Sequence, residues 1–140
     1  MDELRRAALL IGCQQAVHRF YAALDASDYA GVAASMAPEG SWHRQGKMLT
    51  GPDEVRAALA ERPAGRVTAH LVQNLVVDLA DERSATLRYM TLVYRHDGEG
   101  GTGPAPLSQP LSISAHVDRL RREGDRWLAV ERRSRRIFAA

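Results

Sequence analysis

Leu9, Cys13, Val17, Phe20 and Leu24 recur at intervals of four, four, three and four along the start of the chain. That spacing draws one apolar stripe and predicts an amphipathic helix over 3–25, with Asp2 as its N-cap. Asp25-Ala26-Ser27-Asp28 breaks the helix, and Ser27 or Asp28 can cap a second one. This second helix, from about Tyr29 to Met36, is short and Ala-rich, and Pro38 and Gly40 close it. Ser41–Arg44 reads as a strand, Gln45-Gly46 as a turn and Lys47–Thr50 as the hairpin partner. Gly51-Pro52-Asp53-Glu54 opens a third helix: the proline suits a first turn and the acids suit the positive end of the helix dipole. Val55, Ala58 and Leu59 form its buried face, and Pro63-Ala64-Gly65 ends it.

The period then changes. Arg66–Leu79, Ala85–His96, Leu111–Leu120 and Trp127–Phe138 are long and strand-like. Ala80–Arg83 and Glu123–Asp125 supply turns. The Gly- and Pro-rich stretch Asp97–Pro110 fits no regular element and reads as a mobile loop or lid. Helices grouped ahead of an antiparallel meander predict an α+β fold. Three N-terminal helices would pack on a strongly curved, mainly antiparallel sheet, which wraps a cone-shaped cavity around the first helix. The length fits one domain over 1–140.

Composition narrows the function classes. Hydrophobic content of 45% and charged content of 26% are those of an ordinary globular chain. No apolar run is long enough to span a membrane and the acidic start does not make a signal peptide, so a cytoplasmic location is expected. Cys13 is the only cysteine, which rules out an internal disulfide and a thiolate metal site; on the apolar stripe it reads as a buried structural thiol. Lys47 is the single lysine beside eighteen arginines, eight of them within Arg119–Arg136. Interleaved Asp118, Glu123, Asp125 and Glu131, and the lack of a base-stacking aromatic pattern, argue against nucleic acid as the partner. Solvated strand faces or a dimer contact account for the arginines.

Candidate chemistry gathers on two elements. Asp25, Tyr21 four residues earlier and His18 seven earlier share one face of the first helix. Asp25 also suits a plain capping role. On Arg66–Leu79, alternation puts Val67, Ala69, Leu71, Leu75, Val77 and Leu79 on an apolar face. Thr68, His70, Val72, Asn74 and Val76 form a mixed face that suits a cavity wall. His70 can be a catalytic base or a histidine satisfied by a backbone carbonyl. His43, His96 and His116 are weaker acid/base candidates, and their spacing matches no metal motif. GEGGTG lacks the context of a phosphate-binding loop.

The order and spacing of Ile11, Tyr21, Leu24-Asp25, Asp28, Ala37-Pro38, Trp42, Gly51, Val55 and Leu59 resemble the SnoaL-like branch of the NTF2-like superfamily. Thr68, His70, Leu71, Asn74 and Val77 extend the resemblance, as does the closing GDRWLAVERRSRR. It covers nearly the whole chain, although each piece alone is a few common residues. The resemblance implies the same α+β cone. Members include scytalone and bile-acid dehydratases, polyketide cyclases, ketosteroid isomerase, epoxide hydrolases and non-catalytic modules. Dehydratase-like members pair an Asp near the end of the first helix with a His on the first long strand, and Asp25 and His70 fall at those positions. Bile-acid-type enzymes carry a tyrosine five residues before the Asp; here that position is Phe20, with Tyr21 beside it.

The expectation is therefore a cofactor-independent lyase, isomerase or cyclase acting on a hydrophobic ring-bearing or polyketide-like small molecule. Asp25 and His70 form its acid/base pair. Tyr21, Trp42, Tyr94, His18 and Asn74 bind the substrate, no metal or organic cofactor is required, and the open sheet face forms a homodimer. Two rivals stand beside it: a non-catalytic ligand-binding or dimerising module, and an epoxide-hydrolase-type enzyme in which Arg88 assists an acid.

Overall fold

The computed structural model describes residues 1–99 and 101–140. Helix α1 spans Glu3–Asp25, and the Asp2 carboxylate accepts the Arg5 N–H at 2.7 Å, so the predicted N-cap is present. Its buried stripe is Leu9, Cys13, Val17, Phe20, Tyr21 and Leu24. Ser27, at φ 57°, turns the chain away from the helix, and Asp28 caps α2 (Tyr29–Ala34) by accepting the Gly31 N–H at 3.0 Å. Asp28 takes the capping role, and the Asp25 side chain points elsewhere.

The second helix is shorter than expected and the next strand longer. Strand β1 spans Met36–Arg44 rather than beginning at Ser41. Met36 and Ala37 are buried, and Met36 lies opposite Ala129 in the parallel pairing of β1 with the last strand. The ladder is irregular between Met36 and Ser41, where a proline without an N–H can be carried. A Cβ at Gly40 would lie 2.3 Å from the Ala129 carbonyl oxygen, so this close crossing requires glycine. Strand β2 (Lys47–Thr50) pairs antiparallel with β1, and α3 spans Gly51–Ala60 with Val55 and Leu59 buried.

Four long strands follow: β3 (Arg66–Leu79), β4 (Ser84–Asp97), β5 (Ser112–Glu123) and β6 (Arg126–Ala139). With β1 and β2 they form one six-stranded sheet in the order β2-β1-β6-β5-β4-β3. Among the described residues only the β1–β6 pairing is parallel, and the three helices pack on one face, as the α+β reading requires. Residues 101–110 form no regular element. The lid expected over Asp97–Pro110 includes Gly100, which lies outside the described residues.

The alternation along β3 needs one correction. The pairing of β3 with β4 slips between Gln73 and Val76, and Asn74 sits there at φ 55°. One extra residue at such a bulge reverses the side-chain phase. The inner face is therefore Thr68, His70 and Val72 followed by Leu75, Val77 and Leu79, while Val67 and Leu71 are exposed. The bulge bends the strand and carries apolar residues back over α1.

The core lies between the α1 stripe and Leu87, Tyr89, Leu120, Trp127 and Ala129 of the sheet, with Val32, Val55 and Leu59 closing one side. It fills the end of the cone near the β3–β4 turn and leaves the other end open. Among the described residues no helix is long and apolar enough to cross a membrane.

Candidate active site

Asp25 is the last residue of α1, and His70 lies on the inner face of β3. The two meet with Asp25 Oδ1 at 2.6 Å from His70 Nδ1. The second carboxylate oxygen accepts the backbone N–H of His70 at 2.8 Å, and the Thr68 hydroxyl donates to Oδ1 at 2.8 Å. Arg62 anchors the assembly from behind, donating to Thr68 Oγ1 and to the Leu24 carbonyl, each at 3.2 Å. Burial opposes ionisation of Asp25, but the bonds from the His70 ring, the His70 backbone and Thr68 hold the carboxyl below its usual range. An ionised carboxylate only accepts, so Nδ1 carries the ring proton and the Nε2 lone pair is free.

His70 lines an open cavity of about 880 Å³. Its walls include Tyr21, Leu24 and Trp42, with Thr91, Ser114 and His116 from β4 and β5. Trp42 packs edge-on against Phe20 with ring centroids 5.3 Å apart. Tyr21 lies 5.2 Å from the His70 ring, measured between centroids.

A second polar chain runs behind this wall. Arg132 Nη1 lies 2.5 Å from Asp118 Oδ2, and the Tyr89 hydroxyl donates to the same oxygen at 2.7 Å. Because Tyr89 has one proton and gives it to Asp118, the 2.8 Å bond between the two tyrosine hydroxyls is donated by Tyr21. His116 Nδ1 then faces the Tyr21 oxygen at 3.4 Å as a donor, and Nε2 accepts from the Thr91 hydroxyl at 2.7 Å. The His116 ring stacks on Tyr89 at 4.7 Å.

Burial, then the charge of Arg132 and that of a protonated His70, push the His116 pKa down to about 4, so its imidazole is neutral at neutral pH. Burial and the nearby Asp118 push the Tyr21 hydroxyl above its ordinary value, and burial does the same at Tyr89. Burial also raises Asp118, against the pull of Arg132 and Tyr89. Among the described residues Asp118 Oδ1 and Arg132 Nε are buried without a partner, while the Arg132 guanidinium lies 3.8 Å over the Phe20 ring. Cys13 is buried and its thiol is pushed up to about 12 by burial, which leaves it inert.

Among the expected site residues, the fold brings Asp25, His70, Tyr21 and Trp42 together. It places three others elsewhere. His18 is exposed, because Val17, Phe20 and Tyr21 carry the buried stripe at that level of α1. Tyr94 lies on the outer face, opposite Ala69 and one residue out of phase with Val93, which lines the cavity. Asn74 sits exposed at the bulge, with its amide 3.8 Å from Met90 Sδ. Arg88 pairs with Asp78 at 2.9 Å and is exposed, away from the cavity.

Sequence reasoning put Thr68 on the cavity face without giving it a role, missed Arg62, Tyr89, Asp118 and Arg132, and gave His116 little weight. A signal was present. Leu87, Tyr89, Thr91 and Val93 alternate along β4, as do Ser114, His116, Asp118 and Leu120 along β5, and that phase marks a polar line through an apolar wall. Among the described residues, no three His, Cys, Asp or Glu side chains converge as a metal site.

Solved structures share this architecture. A scytalone dehydratase-like protein of Novosphingobium aromaticivorans matches with a TM-score of 0.80 and 16% identity, over 97% of this chain and 89% of that one. An NTF2-like protein with a cystatin-like fold from the same organism gives 0.78 and 18%, over 98% and 87%. A type 2 hexachlorocyclohexane dehydrochlorinase gives 0.80 and 11%, over 99% and 92%. At these identities the likeness shows the fold. A comparison with curated proteins finds no match. The SnoaL-like domain model matches residues 7–133, nearly the whole cone, and the chain belongs to that family.

Proposed function

We propose that this chain is a cofactor-independent acid/base enzyme in which His70 abstracts a proton from carbon, with β-elimination of water as the leading reaction. The observation that carries this reading is the 2.6 Å contact between Asp25 and His70 Nδ1, which leaves Nε2 available on a cavity wall. Two of the structural neighbours are named for eliminations, a dehydratase and a dehydrochlorinase, and that adds support by analogy.

The step balances within the substrate and one imidazole. Nε2 takes the α-proton, and the C–H electron pair moves into an enolate. Collapse of the enolate forms the C=C bond and breaks the β C–O bond. The His70 imidazolium, stabilised by the Asp25 carboxylate, then protonates the departing hydroxyl, which leaves as water. Isomerisation and aldol-type cyclisation begin with the same proton transfer. Trp42, Leu24 and Val93 offer apolar wall to a ring-bearing substrate, and Tyr21 and His116 give polar contact beyond it.

A homodimer through the outer sheet face belongs to the same proposal. Val67, Leu71, Val76, Val117, Ile137 and Phe138 are exposed apolar residues on the long strands.

The test needs no knowledge of the natural substrate. Incubation of 2-tetralone in D2O, followed by NMR, reads proton removal at carbon. We expect enzyme-dependent α-deuteration that is lost in His70→Asn. Equal rates with the folded wild type and the folded variant would sink the reading.

A further inference from the structure

We propose that the cavity mouth is an anion-recognition site and that the substrate carries a carboxylate or phosphate group remote from the carbon that meets His70. This deepens the acid/base reading and rests on it for the identity of the reacting end.

The cavity lining contains Arg44, Lys47, Arg62, Arg66, Arg95 and Arg136 and, among the described residues, no aspartate or glutamate. Two of these cations have visible structural partners in one acid: Arg66 donates to Asp97 at 2.7 and 3.2 Å, and Arg95 lies 3.1 Å from the same carboxylate. Arg62 is occupied by Leu24 and Thr68. Arg44, Lys47 and Arg136 make no ion pair among the described residues, and these three are the groups free to meet a ligand.

Arg44 is half-buried, with its guanidinium 5.6 Å over the Trp42 ring. Burial lowers its proton affinity, and repulsion from Arg62 and Arg66 lowers it further; Tyr29 and Glu61 act the other way without reversing it. Like charges crowded at a partly desolvated rim destabilise the empty protein, and a bound anion relieves that repulsion. Solubility alone would call for cations on the convex, solvated side, where many of the other arginines already lie. Guanidinium groups suit a carboxylate or phosphate because they bind it in a two-pronged manner.

The placement also sets the size of the ligand. Arg66, near enough to Arg44 to repel it, precedes His70 by four residues on the same face of β3, which places the cationic rim roughly 13 Å along the strand from His70. A substrate whose apolar body lies along Trp42, Leu24 and Leu111 can place an anionic group at that rim while its other end meets His70. The expected substrate is thus amphiphilic, apolar in its body and anionic at the mouth. The anion is either the molecule's own carboxylate or the phosphate of a carrier to which it is attached.

Isothermal titration of the folded His70→Ala protein tests this without any turnover, using 2-naphthoate, its neutral isostere 2-naphthamide and pyrophosphate. We expect naphthoate or pyrophosphate to bind, with naphthoate about tenfold tighter than the amide if the carboxylate is the source. Binding should weaken with salt and in Arg44→Gln or the exposed-site variant Arg136→Gln. Competition by pyrophosphate assigns the phosphate source, and its absence with tight naphthoate binding assigns the carboxylate. The proposal is overturned by any of three results: no binding of either anion, equal binding of acid and amide without pyrophosphate binding, or anion binding unchanged in both arginine variants. Deuteration of 2-tetralone alongside any of these results would leave the acid/base reading standing while this inference fails.

Discussion

Asp25 holds His70 at two points, with one carboxylate oxygen on ring Nδ1 at 2.6 Å and the other on the backbone N–H at 2.8 Å. The second bond fixes strand β3 against the end of α1, so the helix terminus and the imidazole move as one unit. Thr68 donates to the same carboxylate, and Arg62 in turn donates to the Thr68 hydroxyl. The pair is therefore positioned by the packing of a helix on a strand 45 residues later.

Replacing Asp25 by Asn should lower the 2-tetralone exchange rate by about 10²–10⁴-fold, the usual range for general acid–base assistance. The amide cannot stabilise the imidazolium, and it can present an N–H that favours the wrong ring tautomer. His70→Asn should lose as much or more. Circular dichroism would establish that each variant is folded before its rate is read. A folded Asp25→Asn protein at full rate would show that the carboxylate only ties helix to strand.

Thr68→Val tests the bracing separately. The substitution removes one donor to Asp25 and leaves Asp25 and His70 themselves in place. A net loss of about 0.5–1.5 kcal/mol in urea unfolding is expected, together with a slower exchange rate. An unchanged rate with reduced stability would confine Thr68 to the fold.

The helices, the strands and the cone were legible in the sequence because their signals are local. The α1 stripe has helical spacing, Asp2 and Asp28 are good caps, and four long strands leave few architectures. What was lost depended on single-residue phase. The bulge at Asn74 adds one residue to β3, which no alternation pattern announces, and it removed Asn74 from the cavity while returning Leu75 and Val77 to the core. Tyr94 failed by the same one-residue parity. The Arg132–Asp118–Tyr89 chain was obscured for another reason. Its members come from three strands, and Arg132 and Asp118 looked like part of a solvated charge run until β5 and β6 were set in register.

Asp118 and Arg132 form a buried pair opposite each other on β5 and β6. Asp118→Asn removes the charge facing a buried guanidinium and should destabilise the protein by about 3–5 kcal/mol. Tyr89→Phe deletes one donor to the same carboxylate and should cost about 1–3 kcal/mol. Urea denaturation midpoints measure both. A loss below 1 kcal/mol for Asp118→Asn would mean that water or rearrangement satisfies Arg132.

His116 gives folding a pH dependence. Its pKa falls from 6.5 to about 4 in the folded protein. Between those values the unfolded chain binds a proton that the folded protein excludes, so stability decreases as pH falls across that window. The full effect is about 3 kcal/mol. Asp25 contributes at lower pH: its carboxyl is held below 3.8, so its stabilisation is present above that value and is lost as pH drops through the folded one. Denaturation at pH 7, 5.5 and 4.5 should show the first loss in the wild type and a flatter profile in His116→Asn. Parallel profiles for the two proteins would assign the acid sensitivity to other groups.

The outer sheet face sets the final prediction. Leu71, Val117 and Phe138 are exposed on three different long strands. A dimer would remove this apolar area from water at roughly 25 cal/mol per Å². Sedimentation at tens of micromolar should give a dimer for the wild type, and Leu71→Glu with Phe138→Glu should shift it to monomer. The cavity lies on the opposite face, so the paired variant should keep its 2-tetralone exchange rate. A monomeric wild type would remove the dimer from the proposal and leave the exchange prediction untouched. A monomeric variant without exchange would instead show that the contact supports the curvature of β3, on which the Asp25–His70 geometry depends.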